Sequence, residues 1–114
     1  MHCNKWDVIF VSFPNQEDKS KSTKRPALVL DINSTIASIC PITKNLNQAS
    51  RYTDTIRINK DSPENKLMRL NFDSLIVLDK NRIEEINISR IDFKFGSCPN
   101  NIRTQIGSIL AKKK

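Results

Sequence analysis

His2 is the only histidine in the chain of 114 residues and stands one position from its start, where fraying works against a fixed geometry. A two-histidine acid–base nuclease or a Ser-His-Asp triad therefore has no material to work with. Neither a GxxxxGK phosphate loop nor an HExxH zinc motif occurs. Cys3, Cys40 and Cys98 are odd in number and lack CxxC spacing, which argues against a disulfide framework or a zinc site. They read as reduced thiols of a cytoplasmic protein, and neither a metal nor another cofactor is expected. What remains is cationic chemistry: 19 Lys and Arg against 12 Asp and Glu give a net charge of +7, a field that draws polyanions. Nucleic acid is the leading partner, although an acidic protein would be drawn to the same field.

The junction Lys24-Arg25-Pro26, where a charged segment meets an apolar run, is the best local candidate for a site. An arginine fixed at a strand start can offer its planar fork of donors to a phosphate bidentately, which a flexible lysine does less well. The plainer alternative is a rim arginine paired with Glu17 or Asp18. Thr43 closes the segment Cys40-Pro41-Ile42-Thr43; its hydroxyl could donate to a phosphate oxygen or accept from a ribose 2′-OH, or it could simply end a strand. Lys19, Lys21 and Lys24 could track a nucleic-acid backbone, or be solvated loop charges. Trp6 and Tyr52, the latter beside Arg51, could stack on bases, with packing the competing reading for Trp6.

These candidates must be held by strands. Residues 6–13 carry Val8, Ile9, Phe10, Val11 and Phe13, an apolar run stopped by Pro14 that predicts a strand. Residues 15–24 have neither period nor glycine and predict a long surface loop, the kind that is often functional. Pro26 opens ALVLDI, and IASICPI at 36–42 follows the turn-forming Asn33-Ser34; two near-continuous apolar runs predict a buried hairpin. Pro41 cannot donate to a ladder and predicts an edge position or a bulge near Thr43.

Residues 44–53 read as a second loop, 55–58 as a half-exposed strand, 59–71 as a loop with one helical turn over 65–70, and 73–79 as a buried strand. Residues 82–95 read as one strand, with Ile83 and Ile86 blurring its period. Pro99 fits a first helical position, and Ile102, Ile106, Ile109 and Leu110 share a helical face. Five to seven short strands and a C-terminal helix, without repeats or linker, predict a single domain over residues 1–114: an antiparallel β-barrel capped by a helix. No stretch approaches the roughly 20 apolar residues of a membrane helix, and the opening lacks a signal-peptide pattern; no membrane association is expected.

The opening strand, a polar loop and then Lys24-Arg25-Pro26-Ala27-Leu28-Val29-Leu30 resemble the MazF/PemK toxins, in which such a strand precedes an RPxLVL strand. Cys40-Pro41-Ile42-Thr43 is similar to the family's CPIT segment, residues 73–79 to its DSVxL strand, and the Pro99 helix stands where its last helix does. The resemblance covers about residues 6–110. It implies an SH3-like barrel, a homodimer, and sequence-selective, metal-independent cutting of single-stranded RNA by attack of a ribose 2′-OH. In the family the arginine before proline and the threonine are the catalytic pair, which carries over to Arg25 and Thr43. Acidic loop residues act as general base in some relatives, which points to Glu17 or Asp18.

The resemblance also implies a cognate acidic antitoxin that covers the groove. Lys5-Trp6 stands where a glycine is usual before Asp7, the first loop lacks glycine, and residues 82–95 run longer than usual. Two other readings compete: a toxin of this fold that poisons DNA gyrase, and an RNA-binding domain without activity. The gyrase-binding family relies on a terminal Trp-Gly-Ile, where this sequence has Ala111 followed by three lysines. The inactive reading would gain only if Arg25 and Thr43 did not face one groove.

Overall fold

The computed structural model describes residues 3–14 and 22–112. Glu17, Asp18, Lys19 and Lys21 lie outside the described residues, as does His2. Seven strands and two helices stand among the described residues: β1 (Asp7–Pro14), β2 (Ser22–Asn33), β3 (Ile36–Thr43), β4 (Thr55–Ile58), α1 (Asn65–Met68), β5 (Ser74–Val77), β6 (Glu84–Asn87), β7 (Ile91–Ser97) and α2 (Asn100–Ala111). All pairings are antiparallel, in the order β4-β5-β3-β2-β1-β7, with β6 also on β3.

The apolar runs of β1, β2 and β3 are near-continuous because this part of the sheet is covered on both faces. Alternation sends Val8, Leu28, Leu30, Cys40 and Ile42 into one core with Ile56, Ile58, Met68, Ile76 and the α2 residues Ile102 and Ile106. The intervening Ile9, Val11, Ala27, Val29, Ala37 and Ile39 enter a second core with Ile86 and Ile91. The ladder stays open, with β4 and β7 as its ends. Closure comes from side-chain packing between strands and α2 rather than from a continuous hydrogen-bonded barrel.

Three local expectations change. Residues 22–24 are strand: the β1–β2 pairing continues through Ser12↔Lys24 to Pro14↔Ser22, and polar side chains hid this from the apolar pattern. In the β2–β3 pairing the bulge lies at Leu30 and not near Thr43, because the register passes from Val29↔Ile39 to Asp31↔Ser38. Pro41 is accommodated where the other edge of β3 changes partner, from β6 over residues 36–39 to β5 at Ile42. Finally, residues 82–95 do not form one strand. β6 pairs with β3 and β7 with β1, so the chain must cross between them. The 3₁₀ turn Ile88–Arg90 makes the crossing, held by Ser89 N–H donating to the Asn87 side chain at 2.9 Å.

α2 begins one residue after Pro99, which takes the cap position with extended ψ of 160°. Gly96 is required by packing: a Cβ there would collide with the Met68 carbonyl oxygen and stand 2.6 Å from that of Leu67. β7 thereby supports the end of α1 and the segment that follows it.

Candidate active site

An open groove of about 770 Å³ runs across the ends of β2 and β3. β2 supplies Lys24, Arg25 and Pro26; β3 and its exit supply Ile42, Thr43, Lys44 and Asn45; the segment after α1 supplies Arg69 to Phe72; β1 and β7 supply Phe10, Phe93 and Phe95. The β2–β3 ladder explains the meeting of Arg25 and Thr43. Ala27 pairs with Pro41, and two steps further along each strand the chain reaches these two residues.

Arg25 is exposed, pairs in register with Val11 of β1, and makes no ion pair with a described residue. The Thr43 oxygen accepts the backbone N–H of Asn45 at 3.1 Å, which orients the hydroxyl. Four cations line the groove, Lys24, Arg25, Lys44 and Arg69, and no carboxylate or imidazole stands among its described lining residues. Lys24 reaches Asp92 of β7 at 3.1 Å, and Lys44 lies over the Phe72 ring at 5.0 Å from its centre. The groove is thus a positive surface interleaved with aromatic rings, suited to phosphates and bases.

The wall formed by residues 69–72 is fixed from behind. Asn65 is buried; its Nδ2 donates to the carbonyls of Lys60 at 2.8 Å and Leu70 at 2.7 Å, and its Oδ1 accepts the Leu70 N–H at 2.8 Å. Arg69 takes the left-handed conformation, φ 61°, at the end of α1. A side chain there costs about 1–2 kcal/mol relative to ordinary helical backbone, and the Asn65 clamp holds it.

Of the remaining sequence candidates, Arg51 and Tyr52 do not reach the groove. Arg51 is exposed elsewhere, and Tyr52 packs under the Arg82 guanidinium, 6.0 Å from the ring centre. Their place in the loop before β4 carries them to the far end of the sheet order. Trp6 packs against the first core between Lys5 at 5.2 Å and Arg103 at 5.8 Å, which bears out packing over stacking. Phe10, Phe72, Phe93, Phe95, Lys44 and Arg69 were missed, because strand phenylalanines read as core and loop cations as solvated charge. A ring isolated between Asn71 and Asp73 was the one available signal.

No group of three or more His, Cys, Asp or Glu among the described residues is placed to hold a metal ion. The cysteines are poor nucleophiles here: burial raises the thiol pKa of Cys40 and of Cys3, and pushes Cys98 up to about 11. No helix among the described residues is long and apolar enough to cross a membrane.

A comparison with curated protein sequences finds none that matches this chain. The sequence profile of the family described as PemK-like, MazF-like toxin of type II toxin-antitoxin system matches residues 4–112, nearly the whole chain. The open seven-stranded sheet with its C-terminal helix is consistent with that fold, and the chain belongs to the PemK-like, MazF-like toxins of type II toxin-antitoxin systems.

Proposed function

We propose that this toxin is a metal-independent endoribonuclease that cuts single-stranded RNA in the groove lined by Arg25 and Thr43. The observation that carries the reading is the convergence of those two side chains on one groove with four cations and no carboxylate among the described lining residues. A ribose 2′-OH attacks the adjacent phosphorus, its proton passing to a base from the segment between β1 and β2, Glu17 or Asp18. Arg25 holds the equatorial oxygens of the phosphorane in its fork of donors. Thr43 donates its hydroxyl proton to a phosphoryl oxygen while Asn45 fixes the oxygen from the other side. The P–O5′ bond breaks, the leaving oxygen takes a proton from a water molecule beside Arg25, and the ends are a 2′,3′-cyclic phosphate and a 5′-OH.

Membership of a type II toxin family implies an antitoxin partner. An acidic, extended antitoxin segment matches the positive groove and the open ladder ends; a homodimer acting in the cytoplasm completes the proposal. The test is incubation of the protein with mixed single-stranded RNA in EDTA, with mapping of the ends, beside Arg25→Ala. Cuts bearing cyclic phosphate, lost in a variant whose circular dichroism is unchanged, are expected. A folded wild type that leaves RNA intact would overturn the proposal in favour of a gyrase-binding or non-catalytic role.

A further inference from the structure

Phe10, Phe72 and Phe93 belong to neither hydrophobic core, yet all line the groove that holds Arg25 and Thr43. Phe72 is 56% and Phe93 48% exposed, a large apolar area to leave in water at one site. Phe10 stacks on Phe93 with ring centres 5.3 Å apart and planes 24° from parallel. Phe95 meets Phe10 edge-on at 6.4 Å and Phe93 at 5.9 Å. The register sets this up: Phe10 pairs with Pro26 on one side and Phe93 on the other. Phe10 and Phe93 therefore share a cross-strand row with Pro26, the residue that follows Arg25. At roughly 4.8 Å per strand, Phe93 stands ~10 Å from Pro26.

We propose that the Phe10–Phe93–Phe95 cluster is a nucleobase subsite, in which Phe93 stacks on the base of a nucleotide flanking the scissile phosphate. Phe10 and Phe95 hold the Phe93 ring in place. The inference rests on the groove being the RNA site. Its occupant is identified by charge and shape together: four cations without a carboxylate among the described lining residues, Lys24 alone of them being paired with Asp92, favour a polyanion, and a half-exposed ring accepts a base. Stacking is tolerant of base identity, so this subsite sets affinity and the register of the strand against Arg25, not the sequence that is cut.

The test uses the full chain, Phe93→Ala and Phe93→Trp, with the tightest-binding 2′-O-methyl hexanucleotide selected from a random pool. That probe lacks the attacking hydroxyl and reports binding alone. Versions with a single abasic residue at each position are compared by fluorescence anisotropy. Wild type is expected to lose roughly 5- to 100-fold in affinity when one particular base is missing. Phe93→Ala should lose as much with intact RNA and nothing further from that abasic position, and Phe93→Trp should restore the wild-type pattern; urea midpoints check folding.

Equal abasic losses in wild type and Phe93→Ala would overturn the subsite. So would unchanged RNA affinity in Phe93→Ala together with weaker binding of an acidic, leucine-bearing peptide, which would assign the rings to a protein partner. A wild type that shows the Phe93-dependent abasic pattern but does not cut RNA would refute the nuclease and uphold the subsite. A wild type that binds no RNA would overturn both.

Discussion

The Thr43 hydroxyl oxygen accepts the backbone N–H of Asn45 at 3.1 Å, so one lone pair is engaged while the hydroxyl proton stays available to donate. The contact gives the residue a fixed direction at the point where β3 ends and the groove begins, and it separates two substitutions that each change threonine by a single heavy atom.

Thr43→Val should lower the cleavage rate by roughly 10²–10³, the usual loss for one transition-state donor. Thr43→Ser keeps the hydroxyl and should retain most of the activity. Single-turnover rates decide: equal rates for the valine variant and wild type would remove Thr43 from the chemistry.

The groove cations should appear in salt dependence. For single strands each neutralised phosphate contributes about −0.7 to the slope of log K against log salt. Lys44→Ala and Arg69→Gly should each flatten the slope by about 0.7, whereas Arg51→Ala, outside the groove, should not. Arg69→Gly should also raise stability, because it relieves the positive φ of 61°. Anisotropy titrations over a salt series, with urea denaturation alongside, test both effects; an unchanged slope in Arg69→Gly would take that residue out of RNA binding.

Gly96→Ala should destabilise the protein by about 1–3 kcal/mol or more, the usual cost of overpacking. The obstructing atoms are the backbone carbonyls of Leu67 and Met68 and cannot turn aside as a side chain would. The urea midpoint measures this, and a neutral result would mean that α1 sits free of β7.

Alkaline pH should weaken the fold in part through Cys98. Burial pushes its thiol from the usual 9.0 up to about 11, so above about pH 9 the unfolded chain ionises this group while the folded one does not. Its contribution is fully present below pH 9 and is lost as pH rises toward 11. Urea midpoints from pH 8 to 11 should fall more steeply for wild type than for Cys98→Ala; parallel curves would contradict the burial argument.

Strands β1 to β5 and the last helix were legible because periodicity and proline placement are local. The helical turn read over 65–70 is present and ends two residues earlier, at Met68. The division of residues 82–95 into β6 and β7 was not legible, since it depends on the two halves pairing with different strands, β3 and β1. Arg25 and Thr43 stood out through the resemblance of Lys24-Arg25-Pro26 and Cys40-Pro41-Ile42-Thr43 to the family's motifs, since by themselves they read as plainly as a rim arginine and a strand-end threonine. Arg51 and Tyr52 were read as secondary RNA-binding candidates, and the chain carries them away from the groove.

By itself the sequence determined the antiparallel class and the positive field, because composition and alternation act over a few residues, and its family-like motifs pointed to Arg25 and Thr43. Tertiary structure decided which rings and cations join them. Phe10 and Phe93 become neighbours only through the β1–β7 register, and Arg69 faces the groove only because Asn65 fixes the end of α1. Such pairings join positions distant along the chain, and no local pattern of residue types records them.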